Sequence, residues 1–313
     1  MEIEIKKNLA LGRIRPSKSD YVSRLAAVNK PDGLYRWVTD FRVLNKWMKP
    51  DSTQLLTPEK FRNRIRGSKF KTVIDLSEAF LSIELEEESR KYTAFATHMG
   101  NYEYCVAPMG LKNSPGALIS ALQDIFRDML YQNMIIFMDD FLIFTKTEEE
   151  HQVILEEVMR RLKKNKLYCN KKKIQYMKDK VEFCGFIYSE NGIEVKESYV
   201  EQILAIPVPK SPKEVQMFLG ACTYISKHIK KFAELAAPLS DLLRAKNKWK
   251  WEVEEQSAYD GLIEAITSPE VLSYFDPNKK TVVYTDSSKY QMGAVLMQIV
   301  EIVHLGRNDK GHI

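Results

Sequence analysis

Three aspartates carry the chemistry this sequence is equipped for. Asp139 and Asp140 stand together in M-I-I-F-M-D-D-F-L-I-F-T (residues 134–145), between two apolar runs rich in Ile and Phe. Each run is too short for a helix, so the pattern predicts a tight β-hairpin with the acid pair at or beside its turn. A carboxylate does not stay in an apolar core unless it is hydrated, paired or bound to a metal. The hairpin tip is therefore a solvated turn or a metal site, and the turn preference of Asp keeps both readings open. Asp75, in K-T-V-I-D-L-S-E-A-F (residues 71–80), lies among Val73, Ile74 and Leu76 and repeats the pattern. It reads as an acid ending a buried strand, or as a cap or turn residue. Three carboxylates delivered by strands suit a pair of divalent ions, which clamp the attacking and departing oxygens of a phosphoryl transfer.

Such acids need strands and helices to hold them. Residues 25–28 and 35–39 read as strands joined by the turn signal Lys30-Pro31-Asp32-Gly33. A helix is expected over 57–65, ended by Gly67-Ser68, and a further hairpin over 93–96 and 102–107, turned by Gly100-Asn101. Ser114-Pro115 starts a helix with Ala117, Leu118, Ala121, Leu122, Ile125, Phe126 and Leu130 at helical spacing. Residues 149–164 read as an amphipathic helix with Val153, Leu155, Val158, Met159 and Leu162 inward. A strand pair is expected around Gly185, then a turn at 189–192. Beyond Pro207, Ser211-Pro212-Lys213-Glu214 starts a helical region, with helices over 215–230, 233–244 and 254–267. Strands over 281–285 and 293–297 close the pattern, the first running into Asp286. Residues 1–15 alternate too loosely to assign.

With 313 residues the chain has room for two or more domains, and 44% apolar with 28% charged residues is an ordinary globular composition. No apolar run has the length of a membrane span and no secretory signal opens the chain. Cys105, Cys169, Cys184 and Cys222 show no C-x-x-C spacing, so neither a zinc knuckle nor a disulfide framework is indicated, and a reducing, intracellular setting is expected. The net charge of +5 does not by itself imply nucleic-acid binding. A dense basic stretch over 163–180, with Tyr168 and Tyr176 interleaved, is either a solvated face or a phosphate contact.

F-M-D-D and V-I-D-L-S-E-A-F, with W-V-T-D-F-R-V-L-N, P-M-G-L-K-N-S-P, V-E-F-C-G-F-I and V-P-K-S-P-K-E-V-Q-M-F-L-G in the same order, resemble the reverse transcriptases of gypsy-type LTR retrotransposons. The resemblance runs from about Leu11 to Gln298. It implies an α+β right-hand polymerase fold: partial fingers (1–70), a palm with an RRM-like antiparallel sheet and primer grip (71–206), a helical thumb-like region (207–280) and the beginning of an RNase H-like domain (281–313). It implies RNA-directed DNA polymerisation, with Asp75, Asp139 and Asp140 as catalytic residues holding two Mg²⁺ ions (Mn²⁺ as a substitute) and the carbonyl of Leu76 as a further ligand. Lys30, Arg36, Phe80, Met109 and Gly110 are the implied nucleotide-binding residues. Phe80 is the aromatic gate that excludes a ribose 2′-hydroxyl. Phe137, Met138, Phe183, Cys184, Gly185, Lys171 and Lys172 are the implied primer and template contacts. The implied partners are an RNA or DNA template with its primer and deoxynucleoside triphosphates, without a membrane.

The chain departs from the family in three places. Leu118-Ile119 replaces the usual Phe-Gln, removing a polar side chain beside nucleotide and template. The resemblance begins almost at Met1, so the first part of the fingers is expected to be missing, and of the RNase H carboxylates only Asp286 is matched, so RNase H activity is not expected. These features suit a fragment of a mobile-element polyprotein. They leave a rival expectation, a remnant that binds nucleic acid without catalysis.

Overall fold

The computed structural model describes residues 1–29, 33, 35–51, 53, 62–244, 248–267, 269, 272, 274, 276, 278–287 and 292–298. They fall into two units, 1–272 and 273–313.

The first unit is built around a five-stranded antiparallel sheet. Its long strand β4 (Phe70–Ser77) lies between β10 (Gln175–Lys178) and β8 (Asp140–Thr145), β7 (Met134–Phe137) lies beyond β8, and β9 (Tyr168–Cys169) pairs the far end of β4. The apolar runs legible in the sequence are the two central strands. Ile74 and Leu76 of β4 share a face with Phe141 and Ile143 of β8, as the two-residue period of a strand requires. Against that face pack α4 (Ser114–Phe126), through Leu118, Leu122 and Phe126, and α5 (Glu148–Lys164), through Val158 and Leu162. Because both faces of the sheet are covered, Val73, Ile135, Leu142 and Phe144 are buried as well.

α5 starts where Thr147 accepts a hydrogen bond from the Glu150 amide, with glutamates in its first turn and Arg161, Lys163 and Lys164 in its last. Its inward face differs from expectation. Val153 and Met159 are 67% and 41% exposed, while His151 is buried. The helical period explains this: 151, 155, 158 and 162 form one stripe, and Val153 lies about 200° around from His151. His151 is tolerated inside because Thr72 Oγ1 and Thr145 Oγ1 lie 2.7 and 3.0 Å from its two ring nitrogens.

The stretch over 1–15 folds as α1 (Glu2–Ala10) and β1 (Ile14–Pro16). α1 is too short to show a period, and only Ile5 is fully inward, joining Ile14, Phe95 and Tyr102 in a small core. β1 pairs β6 (Gly100–Tyr104), which pairs β5 (Phe95–Thr97). The β5–β6 turn is His98-Met99, with Gly100 already paired to Thr97 and opening β6. The expected Gly100-Asn101 turn is displaced by two residues. β2 (Leu25–Asn29) and β3 (Tyr35–Thr39) form a second hairpin, followed by α2 (Arg42–Trp47), and α3 (Glu87–Arg90) is a single turn. Most of the helix expected over 57–65 lies outside the described residues; Arg62–Arg64 form a 3₁₀ turn.

After the sheet, β11 (Val181–Phe183), β12 (Phe186–Tyr188) and β13 (Ile193–Val195) make an antiparallel meander, followed by α6 (Glu197–Leu204). α7 (Pro212–Tyr224) begins as its sequence predicts, with Ser211 Oγ accepting from the Glu214 amide and Glu214 Oε2 accepting from the Lys210 amide. It ends at Tyr224 rather than near Lys230, in a short 3₁₀ turn over Ser226–His228. α8 (Phe232–Asp241), with Pro238 inside it, and α9 (Val253–Thr267) complete the unit. In the second unit, β14 (Thr281–Ser287) and β15 (Met292–Gln298) form one hairpin with seven residue pairs.

Candidate active site

Antiparallel register brings the three acids together. Asp75 of β4 is the direct partner of Asp140, the first residue of β8, and Asp140 is also paired with Phe137 of β7. Asp139 occupies the β7–β8 turn, and its carbonyl accepts a hydrogen bond of 2.9 Å from the Leu76 amide. The turn is therefore tied back to the strand that carries Asp75. The residue before the acids, Met138, has φ 58°, a left-handed conformation that costs a non-glycine residue free energy.

The charges respond to this crowding. Burial, and then the neighbouring Asp139 and Asp75, push the Asp140 carboxyl up to about 6. Lys173 opposes that trend: its Nζ lies 2.9 Å from Asp75 Oδ2, and the ion pair raises the lysine's own pKa. A short turn delivers Lys173. The Asn170 amide donates to the Asp75 carbonyl (2.9 Å), and the Asn170 carbonyl accepts from the Lys173 amide (3.0 Å). Lys173 is the third residue of a Lys-Lys-Lys run, and its two neighbours, Lys171 and Lys172, are exposed. The run is visible in the sequence; which lysine turns toward Asp75 depends on the Asn170 turn.

Among the described residues no three acidic, His or Cys side chains already close around a point as an ion cage. The donor set nevertheless fits divalent cations. Three hard oxygen donors meet at one strand end, and their repulsion is relieved by a single lysine cation on Asp75.

The other sequence-selected residues fall into three groups. Cys184 and Gly185 form the two-residue turn between β11 and β12, and β11 is joined to the acid-bearing sheet by the Glu182–Gln175 hydrogen bonds. Burial pushes the Cys184 thiol up to about 12, with Asp140 and Asp139 adding to the rise. Phe137 and Met138 stand on the acid hairpin and line a small recess with Ile119, Gln123, Leu130, Tyr131 and Ile136. Ile119, in the place of the family's polar residue, is 8% exposed. Phe80 is half-buried in the 3₁₀ turn Ala79–Ser82 that follows β4, packed against the main core. Glu78, just before it, is left-handed (φ 52°) and held by Arg13 at 2.7 Å.

Gly110 lies in the second group, placed by contacts that sequence reasoning missed. Asn45, within α2, donates its side-chain amide to the Gly110 carbonyl and accepts from the Lys112 amide, both at 2.8 Å. Gly110 itself has φ 94°, and an added Cβ would lie 3.7 Å from the Thr39 carbonyl oxygen. The Asn45 clamp thus fixes the Met109-Gly110 turn to α2, and Met109 is exposed.

The third group is mixed. Phe183 is a correction: its ring is 2% exposed and meets Tyr188 in the meander core, so it has no surface to offer a primer. A three-residue strand with Val181 and Phe183 both inward leaves only Glu182 outward. Arg36 lies exposed on β3, opposite Val28. Lys30 lies outside the described residues. Asp286 is in β14, opposite Gly293 of β15, in the second unit.

Comparison with known proteins places this architecture. Residues 28–188, just over half of the chain, match the family described as reverse transcriptase (RNA-dependent DNA polymerase), and residues 251–304 match an RNase H-like domain found in reverse transcriptase. The Tf2-3 and Tf2-4 transposon polyproteins of Schizosaccharomyces pombe are each 33% identical over 298 residues, covering 95% of this chain and 22% of the relative. The chain thus spans about a fifth of the curated relatives it matches. Among solved structures, the foamy viral protease-reverse transcriptase with double-stranded DNA superposes with a TM-score of 0.83 at 25% identity, over 94% of this chain and 52% of that one. The same viral protein with an RNA/DNA hybrid gives 0.79 at 24% identity, over 95% and 40%; at that identity the likeness concerns the fold. Family match, relatives and fold agree: the chain belongs to the reverse transcriptase family.

Proposed function

We propose that this chain is an RNA-directed DNA polymerase that transfers deoxynucleotides to a primer 3′-hydroxyl on a template, as part of an LTR-retrotransposon polyprotein. The observation that carries the reading is the register: Asp75 faces Asp140 across the sheet, with Asp139 tied to the same strand end. Asp75, Asp139 and Asp140 would hold the divalent ions, with the Leu76 carbonyl as a further donor. Two Mg²⁺ ions, or Mn²⁺ in their place, supply acidification of the 3′-hydroxyl and neutralisation of the triphosphate and leaving pyrophosphate. In the ionised form that this role requires, Asp140 would serve as one of the oxygen donors.

Before loading, Lys173 screens Asp75 and keeps the three acids from expelling one another. Arg36 on the β2–β3 hairpin, with Lys30 from its turn, binds triphosphate oxygens. Met109-Gly110, fixed by Asn45, lets backbone approach the nucleotide. Phe80 lies under the sugar, and the Cys184-Gly185 turn steadies the primer end beside Phe137 and Met138. Lys171 and Lys172 meet backbone phosphates. The partners are a primed RNA or DNA template and deoxynucleoside triphosphates; among the described residues no helix is long and apolar enough to cross a membrane. The four free thiols suit a reducing, intracellular setting. We divide the chain into partial fingers (1–70), palm (71–206), thumb-like region (207–280) and RNase H-like start (281–313), the last without RNase H activity.

Replacing Asp139 and Asp140 by Asn tests the reading. Extension should vanish while salt-sensitive binding of a primed template survives. Loss of both together would make the acids structural and the metal role wrong.

A further inference from the structure

The β11–β12 loop is demanding. Phe183 and Phe186 are paired, which leaves Cys184 and Gly185 as a two-residue connection with φ 49° and 73°. Both loop residues are left-handed, as a type I′ hairpin turn requires. Glycine does this freely; cysteine does not. Asn or Asp would usually stand before the Gly in such a turn, so Cys184 needs support from outside its own hairpin.

That support comes from the helical region. Tyr224, the last residue of α7, donates its phenol hydroxyl to the Cys184 carbonyl at 2.6 Å. Its ring lies where a Cβ on Gly185 would meet it, 3.4 Å away, and packs against Phe186 with centroids 5.2 Å apart. Tyr199 of α6 backs the ring on another side at 5.3 Å, and the Phe186 ring also stacks on His228 at 5.3 Å. Gly185 is held at its carbonyl too, by the Lys196 amide at 3.3 Å. The same hairpin is tied to the sheet that carries Asp75: Gln175 of β10, opposite Val73 of β4, donates its side-chain amide to the Glu182 carbonyl at 2.7 Å and accepts from the Glu182 amide at 2.8 Å. The turn is therefore held at its carbonyl by α7, while its first strand is held by the sheet that carries Asp75.

We propose that Tyr224 is a positioning residue for nucleotide transfer: its phenol fixes the Cys184-Gly185 turn beside the acid cluster and couples α7 to the primer end. The proposal rests on the polymerase reading of the acids. It assigns Tyr224 no contact with substrate; its effect passes through the turn.

The test compares wild type, Tyr224→Phe, Cys184→Asn and the double variant, using the full chain. Tyr224→Phe keeps the ring and removes the hydrogen bond to the Cys184 carbonyl, so the protein should fold, with a melting temperature lower by no more than a few degrees. Amide exchange of the 183–188 segment, measured without nucleic acid, should become about three- to tenfold faster, as loss of one such bond implies. The single-turnover incorporation rate should fall by a similar ~three- to tenfold with little change in affinity for primed template. Cys184→Asn creates an Asn-Gly turn that holds itself; against that parent, Tyr224→Phe should cost less than about twofold in either measurement. Unchanged exchange in Tyr224→Phe would overturn the clamp. A rate loss that persists in the Asn-Gly background would mean that Tyr224 acts on nucleic acid directly, which also overturns it. Absence of extension in wild type would sink the polymerase reading instead, leaving the exchange measurement to judge the clamp on its own.

Discussion

Two hairpin turns border the acid cluster, and they solve the same geometric problem differently. The β11–β12 turn uses Gly185 at one left-handed position and supports Cys184, at the other, with the Tyr224 phenol. The β7–β8 turn has no glycine. Met138 is left-handed at φ 58°, immediately before the acids, and the tie from the Leu76 amide to the Asp139 carbonyl holds the far side of the loop. Strain at a residue next to reactive groups is a known mark of functional sites, where surrounding structure over-determines the conformation. The comparison teaches that one turn is built for stability with outside help, while the other accepts strain to aim two carboxylates.

Breaking the first turn should have the largest effect. Gly185→Val puts a β-branched residue at φ 73° against the Tyr224 ring, and should lower unfolding free energy by about 2 kcal/mol in urea titrations. Met138→Gly should do the opposite kind of damage. Relief of the left-handed strain, worth about 1–2 kcal/mol, is largely offset by the flexibility of glycine, so stability should shift by less than about 1 kcal/mol. Extension should nevertheless drop at least about fivefold, because the acids lose their fixed aim. Stability falling as far as in Gly185→Val would erase the contrast between the turns.

A third variant reads the electrostatic cost of the acid hairpin. The Asp140 carboxyl is raised in the folded protein to about 6 from an ordinary 3.8. The folded state therefore holds this proton more tightly than the unfolded chain, and wild type loses stability as pH rises from about 4 through 6. Asp140→Asn should melt a few degrees higher than metal-free wild type at pH 8, with the gain vanishing near pH 4. Differential scanning calorimetry across that range checks both ends.

The smallest effect lies behind the sheet, at His151. Burial holds its imidazole below the usual range, so the unfolded chain takes up the proton first as pH falls below about 6.5. Wild type should lose stability there, against the gain from Asp140, and His151→Gln should remove that part of the slope while leaving the Asp140 part. A slope unchanged by His151→Gln would place the titration elsewhere.

The parts of the site set by short stretches were legible in sequence. F-M-D-D between apolar runs gave the acid hairpin, V-E-F-C-G-F-I gave a strand pair turning at Gly185, and Ser211-Pro212 gave the start of α7. What escaped depends on distant partners. Lys173 is one of three consecutive lysines, and only the Asn170 turn on the Asp75 carbonyl singles it out. Asn45 sits in a recognisable block, yet its grip on Gly110 spans 65 residues. Val153 and Met159 read as inward on hydrophobicity alone, whereas the buried stripe includes His151, a polar residue made acceptable by two threonines from the sheet. Phe183 was selected by motif and turns inward because Val181 and Phe183 are the buried positions of a three-residue strand. α1 is too short for its single fully inward residue to show a period.

The central claim is that Asp139, with Asp140 and Asp75, forms a working cation-dependent polymerase centre. Primer extension on an RNA template, with Mg²⁺ or Mn²⁺ and with neither, should be run on wild type and Asp139→Asn side by side, with template binding measured on the same samples. The account predicts cation-dependent extension by wild type and its loss, by more than about a hundredfold, in a variant that still binds template. Folded wild-type protein that binds primed template and cation but adds no nucleotide would contradict it.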